Sequence, residues 1–222
     1  MGNLVSPSAT VCYTARRHLK KIRKFQRSLL DAVVRRTSVK ALEVRAEFFA
    51  GLFEPFLPAP SRILDVGGGW GFYAEPMAKR GHHLTVLDVV KPGFQKAPVV
   101  VYDGGRFPFP DKSFDASLLV TMLHHVPDPA AIIREAGRVT RKWLIVVEDL
   151  YRNPAGRIWT ELRDRFYNFE FFGHPCQFRK KEEWISFFGK LGFKPAETRE
   201  VYTRLAGLQI LNGVFVFKGE NA

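Results

Sequence analysis

Four glycines occupy positions 67, 68, 69 and 71, directly after a short apolar run that ends in Asp65 and Val66. Glycine is unfavourable in strands and in helices, so a segment this rich in it needs main chain that carries no side chains. A tight turn alone requires fewer glycines. The pattern Asp65-x-Gly67-x-Gly69-x-Gly71 therefore predicts a loop whose backbone closely approaches a bound ligand.

A second acid, Asp88, lies 19 residues after Gly69. In nucleotide-binding sheets, an acid about 20 residues beyond the glycine loop accepts hydrogen bonds from the ribose hydroxyls. The dinucleotide pattern G-x-G-x-x-G is not met, because Phe72 holds the third glycine position. Asp65 would also repel a pyrophosphate but suits a cationic ligand such as a sulfonium amino acid. Asp65 and the missing third glycine therefore favour a cationic ligand over NAD. The alternative for Asp88 is an ordinary strand-end residue.

Several polar residues further along could act on a substrate. These candidate catalytic groups are His124, His125, Asp149, Tyr151 and His174. All of them lie at the predicted carboxyl ends of strands or in the loops that follow. A general base is needed only where the substrate must lose a proton in the reaction. Two alternatives stay open, namely a structural role for at least one of the two adjacent histidines and a surface-loop position for His174.

Hydrophobic periodicity predicts the elements that position these residues. Apolar residues at three- and four-residue steps predict a basic amphipathic helix over 14–37 and a second helix over about 38–56. Strand and helix then alternate through the segments RILDV, GFYAEPMAKRG, HLTVLDV, APVVVYD, FDASLLVTML, DPAAIIREAGRV and KWLIVVED. Short apolar strands separated by helices predict an α/β fold. We expect a Rossmann-like, doubly wound, mostly parallel seven-stranded sheet with an N-terminal helical extension.

The last third of the chain has a different pattern. The segment KKEEWISFFGKLGFKPAE predicts a late helix closed by Gly192, and the following residues predict one or two strands around a hairpin turn at Asn212-Gly213. The aromatic-rich segment IWTELRDRFYNFEFFGHPCQF predicts either a helix packed on the sheet or an apolar roof over the site. The expected domains are a helical extension over 1–58 and a ligand-binding domain over 59–222, with a candidate substrate-covering insertion over 150–190.

Composition and charge limit the function classes. The chain has 222 residues, 46% of them hydrophobic, and no apolar run reaches the roughly 20 residues of a membrane-spanning helix. Cys12 and Cys176 are far apart, which favours a reducing, cytoplasmic compartment. Most of the +12 net charge lies between Arg16 and Arg36, where nine basic residues stand against one acid. This basic helix predicts packing on the domain, peripheral contact with an anionic membrane, or binding to RNA. Few aromatic residues accompany it, which disfavours nucleic acid.

Four segments in order resemble the class I S-adenosylmethionine-dependent methyltransferases, and in particular the subgroup of ubiquinone and menaquinone biosynthesis enzymes. They are LDVGGGWG, VLDVV, YDGGRFPFPDKSFD and LLVTMLHHVPDP. The resemblance implies S-adenosylmethionine as the methyl donor and S-adenosylhomocysteine as the product. It implies cofactor contacts from Asp65, Gly67, Gly68, Gly69, Gly71, Asp88, Asp103, Gly104 and Thr121. The turn before the fifth strand departs from the subgroup, because RVTRKWLIV stands in place of a proline-glycine-glycine turn.

The resulting interpretation is methyl transfer by in-line displacement to oxygen, nitrogen or carbon of a small, hydrophobic or aromatic acceptor. Such transfer depends mainly on positioning, and no metal is expected. Three alternatives stay open: a tRNA or protein methyltransferase, a non-catalytic binding protein with the same fold, and, more remotely, a dinucleotide oxidoreductase.

Overall fold

A seven-stranded sheet forms the centre of the molecule. The structure is a computed structural model, and it describes residues 39–167, 176–205 and 207–219. The predicted basic helix over 14–37 and the candidate residue His174 lie outside the described residues. The described helices are α1 (39–53), α2 (Ala74–Lys79), α3 (Pro129–Val139), α4 (Pro154–Tyr167) and α5 (Lys181–Lys190), with short 3₁₀ turns at Glu54–Phe56 and Leu123–His125.

The strands follow the predicted alternation. They are β1 (Arg62–Val66), β2 (His83–Asp88), β3 (Val99–Val101), β4 (Phe114–Val120), β5 (Thr140–Asp149), β6 (Pro195–Leu205) and β7 (Leu208–Lys218). Their order in the sheet is β3-β2-β1-β4-β5-β7-β6. The first five strands are parallel, whereas β7 runs antiparallel to both β5 and β6. This arrangement confirms the predicted doubly wound, mostly parallel sheet. The strand order reverses between β1 and β4, where open sheets of this kind leave a crevice at their carboxyl ends.

Two apolar cores hold the helices against the sheet. On one face, Phe49 and Phe53 of α1 and Met77 of α2 pack on β1, β4, β5 and β7. On the other face, α3 and α5 pack on the same strands, with Trp184 and Phe188 fully buried. Burying a side chain of this size contributes roughly 1.5–3 kcal/mol. Helix α1 therefore shares a core with the sheet, and the predicted boundary at residue 58 stays a prediction.

The predicted hairpin turn at Asn212-Gly213 is wrong. Both residues lie inside β7, where Asn212 pairs with Asp149 on one side and Val201 on the other. The chain reverses between Leu205 and Leu208 instead, and Gly207 there has a φ of +83°. The prediction that Gly192 closes the late helix is confirmed. Gly192 follows α5 with a φ of +88°, a left-handed conformation that commonly ends helices.

In the ranges that the structure describes, no helix combines the length and hydropathy of a membrane span.

Candidate functional site

The glycine loop after β1 has a backbone that only glycine adopts readily. Gly67, Gly69 and Gly71 have φ values of +65°, +51° and +73°. The N–H of Gly67 donates to the carbonyl of Leu87 (2.7 Å), which holds the start of the loop against β2. The loop therefore lies at the carboxyl ends of β1 and β2, the edge where open α/β sheets bind ligands.

The four glycines approach different neighbours. A Cβ on Gly67 would lie 2.9 Å from Cε of Met122, and a Cβ on Gly68 would lie 2.3 Å from Oδ2 of Asp65. A Cβ on Gly71 would lie 3.1 Å from the Cβ of Ala97. A Cβ on Gly69 meets no heavy atom of the described residues within 4 Å. Packing thus explains the other three glycines, whereas Gly69 presents its main chain to open space.

Asp88 lies beside this open stretch of backbone. Its Oδ2 accepts a hydrogen bond from the N–H of Gly69 (3.0 Å), and its Oδ1 accepts one from the N–H of Val90 (3.0 Å). A carboxylate oxygen has two lone pairs, so each oxygen keeps one acceptor position for a further donor. The half-buried side chain is therefore held in one orientation with two acceptor positions left for a diol.

Asp65 is buried beneath the loop. Its side chain is 1% exposed, and within the described residues no group donates a hydrogen bond to either carboxyl oxygen. Burial, and next to it the charge of Asp88, raise the pKa of Asp65 from 3.8 to about 8. A buried carboxyl without a partner favours its neutral form. A cation bound nearby would favour the ionised form of Asp65 instead.

The segment after β3 borders the same crevice. The N–H of Tyr102 donates to the carbonyl of Asp88 (3.1 Å), which brings the exposed Asp103 next to the carboxyl end of β2. Gly104 has a φ of +89°, and Asp103 accepts the N–H of Gly105 (2.9 Å). Across the crevice, Thr121 has a φ of +49° and donates its N–H to the carbonyl of Val147 (2.7 Å).

Glu148, which the sequence prediction missed, organises the loop after β4. The side chain is fully buried, and its Oε1 accepts the N–H groups of Met122 (3.1 Å) and Leu123 (2.8 Å). Its Oε2 lies 2.5 Å from Nδ1 of His124. A signal was present in the sequence, because an acid near the end of the apolar run KWLIVVED needs buried partners.

His124 and His125 both contact helix α4. The Nε2 atoms of the two histidines each lie 3.5 Å from Oδ1 of Asp164. Burial lowers the pKa of His124, but the Glu148 carboxylate and the contact with Asp164 outweigh burial and raise it to about 10. A protonated imidazole cannot accept a proton, so this environment favours an orienting role for His124. Its assignment as a catalytic residue stays a prediction.

Asp149 and Tyr151 are engaged in other contacts. Asp149 pairs with Arg163 of α4 and accepts the amide N–H of Asn212 (2.6 Å). The hydroxyl of Tyr151 donates to Glu183 (3.3 Å), and burial raises the pKa of that hydroxyl. Helix α4, which lies in the predicted insertion over 150–190 together with α5, thus contacts Asp149 and, through Asp164, both histidines at the carboxyl ends of β4 and β5.

Residues 64–145 match the family model described as a methyltransferase domain. The ubiquinone biosynthesis O-methyltransferase of Xanthomonas axonopodis pv. citri (strain 306) is 33% identical over 125 residues, 50% of this chain and 51% of that protein. The chloroplastic 2-methyl-6-phytyl-1,4-hydroquinone methyltransferase 2 of Oryza sativa subsp. japonica is 29% identical over 152 residues, 63% of this chain and 41% of that protein. The chain spans about half the length of the curated relatives it matches.

A solved structure has a similar fold. The 1,6-didemethyltoxoflavin-N1-methyltransferase of Burkholderia thailandensis, solved with 1,6-didemethyltoxoflavin and S-adenosylhomocysteine, is 16% identical with a TM-score of 0.62. The match covers 98% of this chain and 92% of that one. At this identity the likeness shows the fold alone. The domain model and the sequence relatives are the evidence for a methyltransferase domain. Residues 64–145 thus match a methyltransferase domain, and this part of the chain is similar to S-adenosylmethionine-dependent methyltransferases that include ubiquinone biosynthesis O-methyltransferases.

Proposed function

We propose that this chain binds S-adenosylmethionine at the glycine loop and transfers its methyl group to a small, hydrophobic or aromatic acceptor. The observation that carries the proposal is the grouping of Asp65, Gly69 and Asp88 around one open stretch of backbone. S-adenosylmethionine supplies a methyl group on a cationic sulfur, and its displacement requires positioning more than covalent help from the protein.

The residues of the loop suit such a ligand. The unpartnered, buried carboxyl of Asp65 suits a cationic amino acid moiety, and the two acceptor positions left on Asp88 suit a ribose diol. Asp103 and Gly104 lie next to Asp88 through the hydrogen bond of Tyr102, which supports their assignment to the adenine. Gly69 leaves room for the ligand to approach the main chain.

The class of acceptor is inferred from the sequence relatives and from the surface of helix α4. The names of the two sequence relatives refer to ubiquinone biosynthesis and to a phytyl hydroquinone. Helix α4, whose Asp164 lies against both histidines, exposes Ile158, Trp159 and Leu162, which supports an apolar acceptor delivered along this helix. Where the acceptor must lose a proton, His125 is the candidate base, since it lies in the loop after β4, whereas the raised pKa of Tyr151 keeps that hydroxyl protonated.

The proposal is tested with the full chain, methyl-labelled S-adenosylmethionine and a panel of phenols, catechols and hydroquinones with and without prenyl tails. We expect S-adenosylhomocysteine and labelled product with at least one of these acceptors. Anionic lipid vesicles are added in one arm, because peripheral membrane contact should raise the rate with the prenylated acceptors. Label found only in tRNA or protein, with a steep loss of rate at higher salt, would contradict the small-molecule acceptor.

The role of Gly69 gives a second test. Gly69→Ala places a methyl group in the proposed ligand crevice, whereas Gly192→Ala places one in open space at the end of α5. Both glycines have positive φ, at +51° and +88°, so each variant incurs similar backbone strain of roughly 1–2 kcal/mol. We expect Gly69→Ala to weaken S-adenosylhomocysteine binding at least tenfold by calorimetry and Gly192→Ala to leave it unchanged. Equal affinities for the two variants would place the ligand elsewhere.

A further inference from the structure

His124, His125 and Asp164 form a cluster that the proposed methyl transfer does not require. Each offers one ligand atom, and the three atoms all lie within 4.8 Å of one another. We propose that these three side chains hold a divalent transition-metal ion, with Glu148 orienting His124 from behind. Such a site differs from the absence of a metal that the sequence led us to expect.

The spacing of the ligand atoms suits a metal ion. Nε2 of His124 and Nε2 of His125 each lie 3.5 Å from Oδ1 of Asp164. Zinc binds imidazole nitrogen and carboxylate oxygen at about 2.0–2.2 Å, so ligand atoms around a tetrahedral ion lie roughly 3.3–3.6 Å apart. All three ligand atoms lie within 4.8 Å of one another, so rotation of the side chains would bring them around one ion.

The orientation of His124 is typical of a metal-ligating histidine. Such residues usually donate the N–H of the other ring nitrogen to a carboxylate, which directs the free nitrogen at the ion. Nδ1 of His124 lies 2.5 Å from Oε2 of Glu148, and the N–H groups of Met122 and Leu123 fix the other oxygen of that carboxylate. The ring of Phe178 also packs against the imidazole, with the centroids 4.4 Å apart. Nε2 is therefore directed at Asp164, and a metal ion bound there would replace the proton on Nε2.

Charge and burial support the same assignment. Glu148 and Asp164 bring two carboxylates into a buried region, which is a setting that suits a divalent ion. The side chain of His124 is 1% exposed and that of Asp164 6%, whereas that of His125 is 13% exposed and leaves a path for entry. Two imidazoles and one carboxylate favour zinc, cobalt, nickel or iron(II) over magnesium or calcium, which prefer oxygen ligands.

A bound ion would also have a chemical consequence. A metal acts as a Lewis acid toward an acceptor oxygen and lowers the pKa of a bound hydroxyl, so a hydroxylated acceptor could lose its proton without a protein base. This consequence rests on the proposed methyl transfer, whereas binding of the ion does not. The experiment therefore measures the metal alone.

The full chain is stripped of metal with a chelator and titrated with Co²⁺ while visible absorption is recorded. We expect about one Co²⁺ per chain, with d–d bands of a nitrogen- and oxygen-ligated ion that Zn²⁺ displaces. Asp164→Asn keeps the shape of the side chain and should weaken Co²⁺ binding at least tenfold. The matched control is His83→Gln, a change of an exposed histidine in β2, and it should bind Co²⁺ like the unchanged protein.

Thermal unfolding with and without Co²⁺ shows whether each variant is folded and whether Co²⁺ stabilises it. Co²⁺ should raise the Tm of the unchanged protein and of His83→Gln but not that of Asp164→Asn. Where Asp164→Asn does not fold, His125→Ala replaces it, because this partly exposed side chain contributes less to the core. No Co²⁺ binding, or equal binding to the unchanged protein and these variants, would show that the cluster is an ion-pair network without a metal.

Discussion

Replacing Glu148 with alanine is expected to lower the free energy of unfolding by about 3–5 kcal/mol, as removal of one partner from a buried charged pair commonly does. The variant loses the acceptor for the N–H groups of Met122 and Leu123 and the partner of His124 at the same time. Three donors then remain buried between β4 and β5. Each buried donor without a partner costs about 1–3 kcal/mol.

Chemical denaturation followed by circular dichroism measures this loss, with the slope of the transition as a check on two-state behaviour. Glu148→Gln should fall between the two proteins, because its amide oxygen can still accept the main-chain N–H groups. Glu200→Ala is the control, since Glu200 is an exposed acid whose ion pairs with Arg152 and Lys181 lie at the surface. A stability of Glu148→Ala equal to that of the control would mean that the buried contacts of Glu148 do not hold the loop.

The second large effect concerns the dependence of stability on pH. The pKa of Asp65 is raised from 3.8 to about 8, so the ligand-free folded protein keeps a proton that the unfolded chain releases above pH 4. The contribution of Asp65 to stability is therefore complete below about pH 4, declines as pH rises and is lost above about pH 8. At about 1.4 kcal/mol per pKa unit, the full change reaches at most about 6 kcal/mol.

Asp65→Asn isolates this effect. The asparagine has no titrating proton, so the free energy of unfolding of the variant relative to the unchanged protein should rise between pH 4 and pH 8. Denaturant unfolding at pH 5 and pH 8 measures the difference. A difference that is the same at both pH values would mean that Asp65 is ionised in the free protein. Other groups would then stabilise its negative charge despite its burial.

Binding of a cationic ligand should reverse the state of Asp65. At pH 7, S-adenosylmethionine binding is expected to release a proton from Asp65, because a cation beside the carboxyl favours its ionised form. Calorimetry in two buffers of different ionisation enthalpy measures the proton count. Asp65→Asn should release fewer protons and bind at least tenfold more weakly. The same proton count and affinity in both proteins would separate Asp65 from the cofactor site.

Local patterns in the sequence were enough to predict the parallel sheet and the cofactor loop. The period of the apolar residues distinguishes strands from helices, and a parallel sheet brings the ends of β1 and β2 to one edge whatever the side chains elsewhere. For this reason the position of Asp88 beside the glycine loop followed from its spacing, whereas its hydrogen bond from the N–H of Gly69 is a finding of the structure. The positive φ values of Gly67, Gly69 and Gly71 agree with the same prediction, since the backbone of a short loop depends on its own residues.

The partners of the buried polar residues depend on the tertiary structure. Alternation along β5 predicts that Glu148 and Asp149 point to opposite faces, but it does not predict that His124 meets the first and Arg163 the second. Those contacts join residues 24 and 14 positions apart in the chain. They depend on where α4 lies after β5, which no local period encodes.

The pair Asn212-Gly213 shows the same limit most clearly. Taken alone, the dipeptide favours a turn, yet β5 and β6 pair with both edges of β7 and satisfy its backbone. Asn212 is buried between Thr203 and Asp149, and a Cβ on Gly213 would lie 2.9 Å from the ring of Phe215. Local preference thus yields to packing here, because the hydrogen bonds and contacts of a central strand outweigh the small free energy of a turn.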